Sequence, residues 1–143
     1  MSATNAVETA ILNLIFAAQA WANMADNAAS SPYTTYYVSL HTGDPGDTGN
    51  QSTSEAAYTG YARVSIDRNG TDWTVSGNSA SNASTLSFAK ATAGTETITH
   101  VGLGTASSGT GALLLSNPLS SSLAISPGVT PLFEAGGLEF TCD

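Results

Sequence analysis

Beyond Pro32 the chain alternates apolar and polar side chains with a period of two, and this alternation restricts its fold more than any other feature. Tyr36, Val38 and Leu40 fall on one face of an extended segment, with Tyr37, Ser39 and His41 on the other. The segment "YARVSI" alternates likewise, setting Ala62, Val64 and Ile66 against Tyr61, Arg63 and Ser65. Shorter strand candidates follow at "DWTVS", "STLSFA", "ETITHVGLG", "ALLLSNPL" and "VTPLFE". In a final one, "LEFTC", Leu138, Phe140 and Cys142 oppose Glu139 and Thr141. Clusters of Gly, Asn, Asp and Ser separate these runs, at "DRNGTD", "SGNSASN", "TASSGTG", "SPGV" and "EAGG". Of these, "DRNGTD" and "SSGTG" read as hairpin turns, since Asn-Gly and Gly adopt positive φ at little cost. Short strands at this spacing predict a mainly β domain: an antiparallel β-sandwich, jelly-roll-like, spanning residues 32–143.

Residues 1–31 read differently, as a helix and its connector. From Ala6 to about Ala25, Val7, Ile11, Leu14, Ile15, Ala18, Trp21, Ala22 and Ala25 recur at three- and four-residue steps. That is the period of an amphipathic helix, and the Ala-rich composition supports it. Asn5 is placed to cap the helix, Glu8 lies in its first turn, and "DNAASSP" ends it. Leu12 and Phe16 widen the apolar surface beyond a single stripe.

Charge excludes several function classes. Only 10% of residues are charged, against about 25% in an ordinary soluble domain. The net charge is −8, and Arg63, Arg68 and Lys90 are the only strong cations. Three scattered cations cannot form the basic patch that displaces phosphate counterions, which argues against direct nucleic-acid binding and against docking on anionic lipid. Ser, Thr, Gly and Asn supply the polarity, and short side chains surrender little rotamer entropy when another protein covers them.

Cys142 is the only cysteine, so an intrachain disulfide and a CxxC site are both excluded. The start "MSATNAVETAILNLIFAAQAW" has no basic region before its apolar run, which is not the pattern of a secretory leader. Asn13, Gln19 and Asn23 interrupt that run, so it does not read as a membrane span. The sequons at Asn50, Asn69 and Asn82 then reflect composition rather than glycosylation.

The segment between the first two strands concentrates the polar chemistry: His41, Asp44, Asp47 and Glu55 in a long loop that leads to Arg63. No nucleophile elbow, phosphate-binding loop or dinucleotide fingerprint occurs. His41 and His100 are the only histidines, and His100 falls in "ETITHVGLG", where hydrogen bonding of a strand histidine to its surroundings accounts for it. Asp44 and Glu55 stand at positions 1 and 12 of an EF-hand-length segment with Gly49 at position 6. Gly46 and Thr48 occupy the third and fifth positions, however, and Pro45 stiffens the second, so the match fails. A less regular Ca²⁺ site on Asp44 and Asp47, or sugar stacking on Trp73 and the tyrosines, would instead make a host-surface binding module. Turn chemistry alone explains "TGDPGDTG", because Asp readily accepts a nearby backbone N–H and starts a turn. The expectation is therefore no catalytic residue, cofactor or metal, with Asp44, Pro45, Asp47, Glu55 and Arg63 as a loop that contacts a protein partner.

The order of these signals resembles a family of small virion structural proteins from tailed bacteriophages. The resemblance rests on "LHTGDPGDTG", an acidic residue, "GYARVSI", "SNASTLSFAKAT", "ETITHVGLGTASSGTGALLLSNPL" and "GGLEF", and it covers nearly the whole chain. Its strongest matches are Leu40, His41, Thr42, Pro45, Gly49, Glu55, Tyr61, Ala62, Arg63, His100, Val101 and Gly102. The family's usual Gly-Gly ahead of the tyrosine is replaced here by "YTGY", which bears on the path of the loop. The resemblance implies a non-enzymatic virion protein assembled in the bacterial cytoplasm. It favours a capsid cement or decoration protein that binds the major capsid protein as a homo-oligomer, a trimer, with a tail or tail-fibre-attachment subunit as the alternative. On that view Arg63 anchors the loop or joins an intersubunit ion pair, with Glu55 or Asp47.

Overall fold

The computed structural model describes residues 5–21 and 33–142. Among them the protein is mainly β, with antiparallel sheets and one short N-terminal helix, as the alternation requires. The helix, α1, spans Asn5–Phe16. Nine strands follow: β1 (Thr35–His41), β2 (Val64–Asp67), β3 (Trp73–Ser76), β4 (Ser79–Asn82), β5 (Leu86–Ser87), β6 (Glu96–Gly104), β7 (Leu113–Ile125), β8 (Leu132–Phe133) and β9 (Glu139–Thr141). They form a four-stranded sheet in the order β2-β1-β6-β7, a three-stranded sheet β3-β4-β9 and a two-stranded sheet β5-β8. Among the described residues no helix is long and apolar enough to cross a membrane.

The contacts divide the chain into two compact units. One comprises residues 1–34, 67–86 and 133–143; the other comprises 35–66 and 87–132. In the first unit α1 packs on β3 and β4. Its buried stripe is Glu8, Leu12 and Phe16, while Ile11, Leu14 and Ile15 remain half-buried. The core face thus lies to one side of the expected stripe. An aromatic cluster decides this: the Phe16 ring sits 4.4 Å from Trp73 and 6.1 Å from Phe140.

The helix also ends earlier than its periodicity predicts. The N–H groups of Ala17 and Gln19 both donate to the Asn13 carbonyl, and Ala18 takes a φ of 54°, in the left-handed region. The Arg68 guanidinium donates to the carbonyls of Leu14 and Ile15. Those two carbonyls would otherwise accept from the next helical turn, so a cation replaces further helix at its negative end. Residues 22–25 of the expected helix and "DNAASSP" lie outside the described residues, as does the side chain of Asn5.

Two of the turn expectations change. "DRNGTD" is not a hairpin, because β2 and β3 belong to different sheets; Asn69 instead closes the turn locally, accepting the N–H groups of Thr71 and Asp72. "SGNSASN" contains a strand, β4, which pairs with β3 across Gly77 and Asn78 and with β9 on its other side. Small polar residues give β4 no alternation to read, and only its two neighbours make it a strand. Asn82, at its end and fully buried, donates to the carbonyls of Ser84 and Glu134 and accepts the Leu138 N–H. A sequon asparagine used in this way is structural. "SSGTG" does lie in the β6–β7 hairpin loop.

In the second unit β1 is central, pairing with β6 from Tyr37↔Gly104 to His41↔His100. Tyr36, Val38 and Leu40 are buried with Ile98, Val101 and Leu103. A second aromatic group belongs to this unit: Tyr61 meets Tyr58 edge-on at 5.4 Å and stacks on Phe88 at 6.3 Å.

Candidate functional site

The opposite face of β1, which the alternation marks as polar, is also buried. Ser39 and His41 are both 0% exposed, and the loop of residues 42–55 covers them. His41 Nδ1–H donates to the Thr53 carbonyl at 2.8 Å, while Nε2 accepts the Ser39 hydroxyl at 2.9 Å. This tautomer is neutral, and burial lowers the imidazole pKa below its ordinary 6.5, outweighing the Thr53 carbonyl and Glu55 carboxylate that favour the cation. A serine hydroxyl on a histidine nitrogen is the geometry of a nucleophile and its base. Here both residues are fully buried, and the pair satisfies two polar groups inside the sheet.

Glycines on β6 and in the next loop let the covering loop approach. A Cβ on Gly104 would sit 2.1 Å from the Gln51 side chain, and one on Gly111 would meet Gln51 Oε1 at 2.5 Å. Gln51, also fully buried, accepts the Ala106 N–H at 2.9 Å and reaches the Tyr37 carbonyl at 3.4 Å. Its own N–H donates to Gly111. Ser39, Gln51 and Gly104 are not among the candidate site residues, and Gly102 enters only as a match of the resemblance. The paired glycines in "VGLG" are the signal of close approach to that strand, by the Ser39 and His41 side chains at Gly102 and by Gln51 of the covering loop at Gly104.

Glu55 and Arg63 come together at the end of this loop. Arg63 Nε donates to Glu55 Oε1 at 2.6 Å and Nη2 to Oε2 at 2.7 Å, a bidentate pair whose side chains are 2% and 17% exposed. The remaining guanidinium donors reach the carbonyls of Ala106 at 2.9 Å and Gly109 at 2.6 Å. Tyr61 adds a third donor to Glu55 at 2.9 Å while accepting the Leu40 N–H. Burial and the adjacent carboxylate raise the Tyr61 phenol pKa, and the carboxylate raises that of Arg63. One ion pair therefore ties the 42–55 loop, β1 and the β6–β7 loop into a single platform. Arg63 thus takes the loop-anchor role of the two expected for it, and its pair with Glu55 lies within one chain.

The other three candidates behave differently. Pro45 is buried, and Asp44 and Asp47 are exposed. Asp44 Oδ1 accepts the Gly46 N–H at 2.9 Å, the backbone-turn role expected of it, and Gly46 turns with a φ of 67°. Asp47 borders an open groove of about 290 Å³ lined also by Gly46, Gly49 and Leu113 to Ser116. A second recess of about 280 Å³ lies over Glu55, Arg63 and Ser107 to Gly109, where the charges are engaged with each other. Among the described residues no three His, Cys, Asp or Glu side chains converge as a metal-binding group. Trp73 and Tyr58 are core residues rather than exposed stacking platforms.

Comparison with known proteins adds one finding. The family model described as "Podophage GP4 fiber I protein gp80" matches residues 2–141. No curated protein matches the chain. The match spans almost all of the sequence, and the chain belongs to that family, which is one of tailed-phage virion structural proteins.

Proposed function

As a member of the podophage GP4 fiber I family, this chain is, we propose, a non-enzymatic subunit of a fibre on a tailed-phage virion. The observation that carries the reading is the family match across residues 2–141. The site supports it: the platform contains a part-buried ion pair and a fully buried Ser39–His41 pair, a construction that holds a loop rigid. A rigid loop loses little entropy on docking, which favours a protein partner. The family description supports a fibre subunit ahead of capsid cement on the major capsid protein.

The chain works as a homo-oligomer, a trimer, whose partners are other virion proteins. The loop from Asp44 to Glu55, fastened by Arg63, meets one of them through Asp44 and Asp47, its outward carboxylates. Labelling purified virions with an antibody to this chain, followed by electron microscopy, tests the proposal. Label on fibres is the expected result. Label over the capsid lattice, or a chain missing from purified virions, would overturn it.

A further inference from the structure

Between Gly46 and Gly49 the covering loop makes a tight turn. The Gly49 N–H donates to the Gly46 carbonyl at 3.1 Å, which leaves Asp47 and Thr48, both exposed, at its tip. Asp44 Oδ1 holds the Gly46 N–H at 2.9 Å, and an added Cβ at Gly49 would meet the Pro45 carbonyl oxygen at 2.1 Å, so the turn closes only on glycine. The groove of about 290 Å³ is lined by this turn and by Leu113 to Ser116 of β7. The register with β6 shifts between Leu103 and Gly104, which makes Leu114 an extra, bulged residue of β7, and it is 43% exposed. A carboxylate thus borders a groove whose second segment is mainly leucine. Among the described residues no hydrogen bond or ion pair engages the Asp47 side chain. The chain has no cation at hand for it: Arg63 is engaged by Glu55 and Arg68 by the carbonyls of Leu14 and Ile15.

We propose that this groove receives a lysine or arginine side chain of another virion protein, with its aliphatic stem along the leucines and its charge on Asp47. Charge complementarity selects the occupant. A chain of net charge −8 attracts a basic surface and repels an acidic one. Long cationic side chains are also those that lay an apolar stem on apolar surface while keeping the charged head near water. A turn already fixed by its own hydrogen bonds needs little ordering when the groove fills. A second copy of this chain has only Lys90 to offer, the one exposed residue of its three strong cations. The inference rests on the reading of this chain as a virion subunit and names the chemistry of the partner that its loop meets.

Phage encoding Asp47→Asn, Asp47→Lys, Lys90→Gln or Glu134→Gln test it. Glu134→Gln removes the same charge at an exposed position of the other unit and serves as the control. Virions are washed at about 0.15 M salt, where distant charges are screened, and the chain retained per particle is quantified by immunoblot. Circular dichroism of each purified chain confirms folding. Asp47→Asn should lower retention roughly threefold or more, the loss of one rim ion pair. Asp47→Lys, which sets like charges together, should lower it further, while Lys90→Gln and Glu134→Gln should match wild type. Asp47→Asn retained like wild type, or an equal loss in Glu134→Gln, would overturn the proposal. A loss shared by Lys90→Gln would overturn it too, by assigning the groove to a second copy. Antibody labelling separates this result from the fibre reading. Label on fibres with every variant retained defeats the groove alone, and label over the capsid with Asp47-dependent retention defeats the fibre alone. Absence of the wild-type chain from virions defeats both.

Discussion

Arg63 is held by Glu55 through two parallel hydrogen bonds at 2.6 and 2.7 Å, and its other donors cap the carbonyls of Ala106 and Gly109. A single guanidinium thus joins two loops distant in sequence. Attraction within the pair offsets the cost of withdrawing both charges from water, so losing either partner strands the other.

Arg63→Met should therefore destabilise the fold by roughly 3–5 kcal/mol, as expected for one broken member of a buried pair. Glu55→Gln should have a smaller effect, because the amide oxygen still accepts. Urea denaturation of both single variants and the double variant checks this. Additive effects would show that the pair is not coupled.

Gly104→Ala should cost about 1–3 kcal/mol by overpacking, because its Cβ would meet the Gln51 side chain at 2.1 Å. Gly70→Ala, with nothing within 4 Å of the added carbon, should be close to neutral. Thermal melts of the two variants give the comparison.

Acid should weaken the second unit through His41. Its pKa is lowered in the folded state, so the unfolded chain binds more protons as pH falls below about 6.5. The stabilisation from keeping His41 neutral is complete above pH 6.5 and is lost as pH falls towards the lowered folded value. Urea midpoints measured from pH 8 to 5 should decline, and His41→Gln should flatten that decline while lowering stability at pH 8. An unchanged slope in His41→Gln would assign the decline to other groups.

In the first unit, Phe16→Ala should cost roughly 3–5 kcal/mol and Leu12→Ala roughly 2–5, as large-to-small changes in a core do. Ile11→Ala, on the half-buried flank, should cost less than Leu12→Ala. The reverse order would place the buried stripe where periodicity alone puts it. Far-ultraviolet circular dichroism during denaturation provides the measurement.

Asp44→Ala with Asp47→Ala should lower stability by no more than about 1 kcal/mol, the net cost of the exposed turn hydrogen bond that Asp44 makes to the Gly46 N–H. Incorporation into virions should fall, because these carboxylates are the outward part of the loop. Quantifying the chain in purified particles decides between the two roles.

The sequence by itself determined the β class, the ends of β6 and the alternation of the last strand. Each follows from side-chain period and turn residues, which act over a few neighbours. It also placed Glu55 and Arg63 as possible partners and Asp44 as a turn residue. Only the tertiary structure decided the rest. The strand Ser79–Asn82 lacks a pattern of its own and depends on both neighbours, and the end of α1 depends on Arg68, far along the chain. The polar face of β1 is buried because Gly102 leaves room for the Ser39–His41 pair, while a loop returns over Gly104 with Gln51 and gives His41 the Thr53 carbonyl. Local periodicity records which side chains avoid water, but not which distant segment completes their hydrogen bonds. That pairing is settled when the folded chain must leave few buried polar groups without a partner.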